Sequence, residues 1–340
     1  MTIENEKPGI LNPGFELTLR PMRYPSFYEH FITAQKNNWS VQEISFSTDK
    51  ADLRDKLTDA EKHVVSRIIA FFATGDTIVG NNLVLSLYKH VNSPEARMYY
   101  GRQLFEEQLH VQFYMTLLDE YIADAEERAG AFAAINNIPS IKKKADFCFK
   151  YIDSIMQMDK LETHEDRKKF MLNLIAFAAV IEGLFFFGAF AYVYYLRSRG
   201  LLHGFADGTN WVFRDESYHM NVAFEIVDTV KAEYPELWDT AMEEQIYEMI
   251  EEGIDCEYQF AEDALDLGVA GMSKAEMKEY LQYIGDVRLE RLGMEKRYHK
   301  KNPFPFMELQ DLNGQGNFFE RTVSAYAVGV AGDVGFDETF

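Results

Sequence analysis

The sequence predicts an all-α protein, a large helical bundle built around one helix that is apolar on every side. Three observations predict it. Capping signatures, a hydroxyl residue followed three positions later by glutamate, occur at Thr58 with Glu61 and at Ser273 with Glu276. Each precedes a long run with apolar residues at helical spacing. No stretch alternates polar and apolar residues with the two-residue period of a strand. Residues 171–196 are almost unbroken apolar side chains, interrupted strongly only by Asn173 and Glu182.

The elements follow in chain order. Residues 1–48 carry Pro8, Pro13, Pro21 and Pro25 and are expected to be irregular chain packed on the bundle. Thr58 opens a helix over about 59–91. Ser93 and Pro94 supply a cap and a proline at the first helical position, opening a second helix to about Ala129 with Gly130 as its stop. Segments 130–159 and 165–199 read as helical by composition. The next helix starts near Asp207 and passes through 214–231, Pro235 restarts helix to about Leu267, and Ser273 begins the last. The segment 300–306 (KKNPFPF) ends helical structure, and the Gly-rich chain from Met307 onward is expected to be a flexible tail. The expected organisation is therefore an N-terminal segment 1–48, one helical domain 49–306 and a tail 307–340, without internal repeats or linkers.

Of 340 residues, 34 are basic and 55 acidic, a net charge of −21. That balance argues against nucleic acid and anionic lipid as partners, since phosphate contact needs a basic surface. Two cysteines far apart, Cys148 and Cys256, exclude a disulfide scaffold, a thiolate metal site and a CxxC redox pair. A reducing, cytoplasmic setting is expected. The run 171–196 is long enough to span a membrane. Glu182 near its middle is costly in lipid, and the same pattern suits the core helix of a bundle. A buried carboxylate then needs a cation.

The cation follows from four helices. Glu107 and His110 stand three residues apart on one, and Glu216 and His219 on another, so each pair shares a helix face. One such pair is commonplace on a solvated face. Two pairs, plus Glu182 and Asp76 inside apolar stretches of two more helices, make the donor set of a carboxylate-bridged dinuclear metal site in a four-helix bundle. Four carboxylates and two imidazoles suit two iron or manganese ions. Four negative charges offset two divalent cations. Tyr114 lies at i+4 from His110 on the same stripe. Phe186 and Phe190, at i+4 and i+8 from Glu182, and Val212, at i−4 from Glu216, form an apolar wall around the phenol.

These residues carry a family resemblance. The protein resembles the radical-generating small (beta) subunit of class I ribonucleotide reductase over nearly its whole length, through 71–82 (FFATGDTIVGNN), 105–114 (FEEQLHVQFY), 178–187 (AAVIEGLFFF), 214–219 (RDESYH) and 301–306. The resemblance implies a ferritin-like helical bundle with additional helices and the activity of a ribonucleoside-diphosphate reductase, which reduces ribonucleotides to deoxyribonucleotides. It implies Asp76, Glu107, His110, Glu182, Glu216 and His219 as ligands and Tyr114 as the stored radical. Trp39, Asp215 and Tyr326 match the radical-transfer positions. It further implies a homodimer and a separate large (alpha) subunit, docked through a tail such as 332–340 (GDVGFDETF). Much of 79–107 is similar to the branch that uses manganese with iron. In that branch phenylalanine replaces the radical tyrosine and glutamate the first aspartate, whereas this chain has Tyr114 and Asp76. An Fe/Fe pair is the expectation, with Mn/Fe and Mn/Mn as alternatives.

Other classes predict other features. An iron-storage protein of this fold would be much shorter. A di-metal monooxygenase or ligand-binding oxidase would place a substrate cavity beside the metals. A membrane protein would need detergent.

Overall fold

The computed structural model describes residues 9–307. The tail and the first eight residues lie outside them. Among the described residues the protein is helical and holds no strand beyond an isolated bridge between Val269 and Met272, as the sequence predicts.

Four helices form the centre: α3 (Asp59–Asn82), α4 (Pro94–Tyr121), the pair α8 (His164–Ile175) and α9 (Phe187–Ser198), and α10 (His203–Glu233). A π-helical stretch, Leu83–Tyr88, continues α3, and another, Ala176–Phe186, joins α8 to α9 without a break. Around them lie α1 (Pro25–Lys36), α2 (Ser47–Asp55), α5 (Ala125–Phe132), α6 (Ala134–Asn137), α7 (Pro139–Met156), α11 (Thr240–Ala264) and α12 (Lys274–Arg291). Helix α1 packs on α4, and α7, α11 and α12 pack on the joined α8–α9 helix or on each other.

The caps work as their residues dictate. Thr58 accepts from the Glu61 amide while Glu61 accepts from the Thr58 amide at 2.8 Å, and Ser273 with Glu276 repeats the arrangement. Ser93 accepts from the amide of Ala96 at 3.1 Å, with Pro94 behind it. Each such cap is worth about 0.5–2 kcal/mol.

Three expectations need correction. The segment before Thr48 is not wholly irregular, because Pro25 starts α1: a proline at the first helical position has no amide to lose. The second helix ends at Tyr121 rather than Ala129, with Ile122 in extended geometry, and Gly130 falls inside α5 instead of stopping a helix. Helix α10 begins at His203, ahead of Asp207, because its cap comes from elsewhere in the sequence. Asp49 on α2 accepts from the amides of Gly204 and Phe205 at 2.9 and 2.8 Å, and Asp52 accepts from Leu202 at 3.0 Å.

The joined helix His164–Ser198 is apolar enough to cross a membrane, yet its apolar window lies entirely inside this fold. Asp59–Tyr88 also passes by length and composition, which the sequence pattern did not single out, and 67% of its window is buried. Both are core helices. Outside the centre a charge pair is buried: Lys144 on α7 meets Glu257 on α11 at 2.5 Å, with the Lys144 ammonium 3.0 Å from the centre of the Phe71 ring. At the far end of α12, Asp286 accepts from the amides of Arg297, Tyr298 and His299 at 2.7, 2.9 and 2.5 Å.

Candidate metal centre

Each central helix delivers its donors to one buried volume. Asp76 comes from α3, Glu107 and His110 from α4, Glu182 from the π-helical stretch, and Glu216 and His219 from α10. All six are buried. Donor atoms of Asp76, Glu107, His110 and Glu216 lie within 4.8 Å of one another, as do those of Glu107, Glu182, Glu216 and His219. The two groups share Glu107 and Glu216. That layout suits a pair of metal ions, the two shared carboxylates being joined in each group by one further acid and one imidazole.

The donors fit metal ions by their unmet needs. Both oxygens of Asp76 and of Glu216, Glu107 Oε2, and Nδ1 of each histidine are buried without a hydrogen-bond partner. Each imidazole instead uses Nε2 outward: His110 Nε2 lies 3.3 Å from Asp215 Oδ2, and His219 Nε2 lies 2.9 Å from Glu106 Oε2. A carboxylate there assigns the proton to Nε2, leaving the Nδ1 lone pair turned inward. Inside, His110 Nδ1 sits 2.9 Å from Glu216 Oε1, and His219 Nδ1 sits 3.1 Å from Glu107 Oε1. Lone pairs that close repel unless a cation lies among them.

The titration behaviour says the same. Burial, reinforced by Glu216, pushes Glu107 and Glu182 up, and burial with the neighbouring acids does so for Asp76. Burial acts upward on Glu216 too, but His110 and His219 outweigh it and hold that carboxyl below its ordinary value. Both imidazoles are pushed up by their carboxylates against the opposing effect of burial. The volume has a surplus of negative charge that positive charge must fill.

Around the ligands, the structure adds residues that the sequence pattern did not single out. Glu106 is to His219 what Asp215 is to His110. Each of these carboxylates has its own arginine, Arg102 at 3.0 Å from Glu106 and Arg214 at 2.9 Å from Asp215. The signal was in the sequence as an acid directly before each Glu-x-x-His, in Glu106-Glu107 and Asp215-Glu216. Gln103 Nε2 donates to Glu182 Oε1 at 3.2 Å and to Glu107 Oε1 at 3.4 Å.

Trp39 Nε1 donates to Asp215 Oδ2 at 2.8 Å, so one carboxylate oxygen joins the indole to His110. Burial would raise Asp215, yet His110 and Arg214 bring it down to about 2. Tyr114 is fully buried, and burial followed by Asp76 pushes its phenol well above 10. Its ring stacks on Phe72 at 4.6 Å between centroids, another residue not foreseen. Phe72 packs in turn on Phe186 and Phe190, and Val212 is buried on α10. Tyr326 and the docking segment 332–340 lie outside the described residues.

Known proteins resemble this one. Residues 16–303 match the family model "Ribonucleotide reductase, small chain". The sequence is 33% identical to ribonucleoside-diphosphate reductase subunit beta of Chlamydia pneumoniae, over 95% of its own length and 94% of that protein. It is 36% identical to a ribonucleoside-diphosphate reductase small chain of Arabidopsis thaliana, over 95% and 89%. In structure it resembles the ribonucleotide reductase R2 subunit from Clostridium botulinum, with TM-score 0.81, 20% identity and 92% and 98% coverage. A ribonucleotide reductase homodimer from Saccharomyces cerevisiae matches at TM-score 0.72, with 23% identity and 93% and 91% coverage. These likenesses make the fold a ferritin-like bundle.

Proposed function

The protein belongs to the ribonucleotide reductase small-chain family as a ribonucleoside-diphosphate reductase small subunit, and we propose that it stores an oxidising equivalent on Tyr114 for use by a large subunit. The observation that carries this reading is the convergence of six donors from four helices with their inward atoms unpartnered. Two metal ions held there, Fe/Fe in this reading with Mn/Fe and Mn/Mn as alternatives, would supply the oxidising power when oxygen is present.

The protein's own residues do the rest. Glu107 and Glu216, common to both donor groups, would serve both ions, with Asp76 and His110 holding one and Glu182 and His219 the other. Tyr114 would give its electron to the oxidised metal pair and its proton, which burial holds on the phenol until then, to the oxygen reduced there. Phe72, Phe186, Phe190 and Val212 exclude water from the product. The charge leaves through His110, Asp215 and Trp39, whose hydrogen bonds share one carboxylate oxygen. Tyr326 relays it onward, and the tail 307–340 docks on the large subunit, which holds the nucleotide and the reducing thiols. Cys148 and Cys256, both buried, offer no dithiol for that step.

The same reading makes the protein a homodimer. Val84, Leu85 and Tyr88 continue the exposed side of α3, and Met98 and Phe105, seven residues apart, share an exposed face of α4. Val84 at 48% and Phe105 at 52% exposure are large apolar side chains left open to water, which favours a second copy over water.

Metal analysis with electron paramagnetic resonance on oxygen-treated protein tests the proposal. Two ions per subunit and a phenoxyl signal lost in Tyr114→Phe are expected. A signal that survives the substitution overturns the assignment to Tyr114.

A further inference from the structure

We propose that Arg288 is a positioning residue, which locks the π-helical stretch so that Glu182 reaches its metal position; this rests on the two-metal reading above. Among the ligands, Glu182 alone sits on π-helical backbone, between Ala176 and Phe186. Asp76, Glu107, His110, Glu216 and His219 all sit on regular α-helix. A widened turn shifts every following side chain around the helix axis and leaves carbonyls without their usual intrahelical partner. Such a turn persists only where the surroundings satisfy those groups.

Arg288 supplies that partner. It comes from α12, a helix that contributes no ligand, and its Nε donates to the carbonyl oxygen of Gly183 at 2.8 Å. Gly183 directly follows Glu182. The guanidinium lies 4.6 Å from the centre of the Phe187 ring, at the point where the π-helical stretch gives way to α9. Arg288 is 7% exposed, so both contacts are made away from water. A charge-assisted bond in that setting is among the stronger single hydrogen bonds a protein makes.

The glycine is part of the device. A Cβ at position 183 would lie 2.5 Å from the carbonyl oxygen of Ala178 and 2.9 Å from Arg288 Nε. Only a residue without a side chain lets the widened backbone and the arginine approach together. On the opposite side, Gln103 holds the Glu182 carboxylate itself at 3.2 Å. The ligand is thus fixed twice, at its head by Gln103 and through its backbone by Arg288.

Titration of the metal-free full-length protein with Mn(II), read as bound equivalents and by electron paramagnetic resonance, tests the assignment. The native protein should bind two equivalents. Fewer than two there overturns the two-metal reading itself, separately from this inference. Arg288→Met keeps the packing volume and removes the donors; it should weaken one equivalent about 10- to 100-fold, the range for lost outer contacts of a metal ligand, and leave the other unchanged. Arg288→Lys, which restores a donor, should recover part of the loss. Gly183→Ala disturbs the same contact from the other side and should produce the same one-site defect. It decides the matter if Arg288→Met loses helicity in circular dichroism. Native affinity for both equivalents in either folded variant overturns the proposal, as does an equal loss at both positions.

Discussion

Lys144→Met would test how this core holds charge, because it removes an ammonium while keeping a side chain of similar length. In the native protein, burial, partly offset by Lys144, pushes the Glu257 carboxyl up to about 7 from 4.5. Burial, partly offset by Glu257, brings Lys144 down to about 8 from 10.5. Without the ammonium, the Glu257 carboxyl rises further. A carboxyl whose folded pKa exceeds its unfolded value binds its proton more tightly in the folded state. Stability therefore falls as pH rises between those two values. In the native protein that loss ends near pH 7, where Glu257 ionises against Lys144. In the variant it continues at about 1.4 kcal/mol per pH unit. Between pH 7 and 8.5 the deficit should widen by about 2 kcal/mol, beyond about 3–5 kcal/mol for breaking a buried pair. Urea unfolding of metal-free protein at pH 6, 7 and 8.5 measures it. The double variant with Glu257→Leu, which removes both charges, should recover most of the loss. A deficit that does not change with pH, or a double variant no more stable than the single one, would refute the reasoning.

Two further outcomes follow from the centre. Asp215→Asn keeps the shape of the side chain but removes the charge that joins Trp39 to His110. Metal content should stay at two ions per subunit while nucleotide reduction with the large subunit falls about 10- to 100-fold, and turnover near the native rate would count against the route through Trp39. Phe72→Ala removes the ring stacked on Tyr114 and should cost about 3–5 kcal/mol in unfolding experiments. It should also shorten the lifetime of the Tyr114 signal, and an unchanged decay would show that Phe72 does not shield the phenol.

The parts of this protein legible in its sequence are those where a residue contradicts its surroundings. Asp76 and Glu182 stand out because their neighbours are apolar, and the helix starts at Thr58, Ser93 and Ser273 because capping is local chemistry. Glu106 and Gln103 did not stand out, since α4 is rich in polar residues and only packing decides which of them face inward. The start of α10 was hidden because Asp49 and Asp52 cap it from a distant part of the sequence. The π-helical stretch was hidden for a different reason: where every side chain is apolar, the hydrophobic pattern carries no phase, and a shift of one residue leaves no mark.

The two imidazoles are wired alike as far as their first carboxylates. Beyond them both carboxylates meet an arginine, Arg214 and Arg102, and Asp215 in addition accepts from the indole of Trp39. An indole can lose an electron and a guanidinium cannot. On the proposed function, a centre with nearly symmetric ligands would therefore have an oxidisable ring joined to it at the His110 end. On that reading, the direction of discharge would follow the indole that lies two hydrogen bonds from His110.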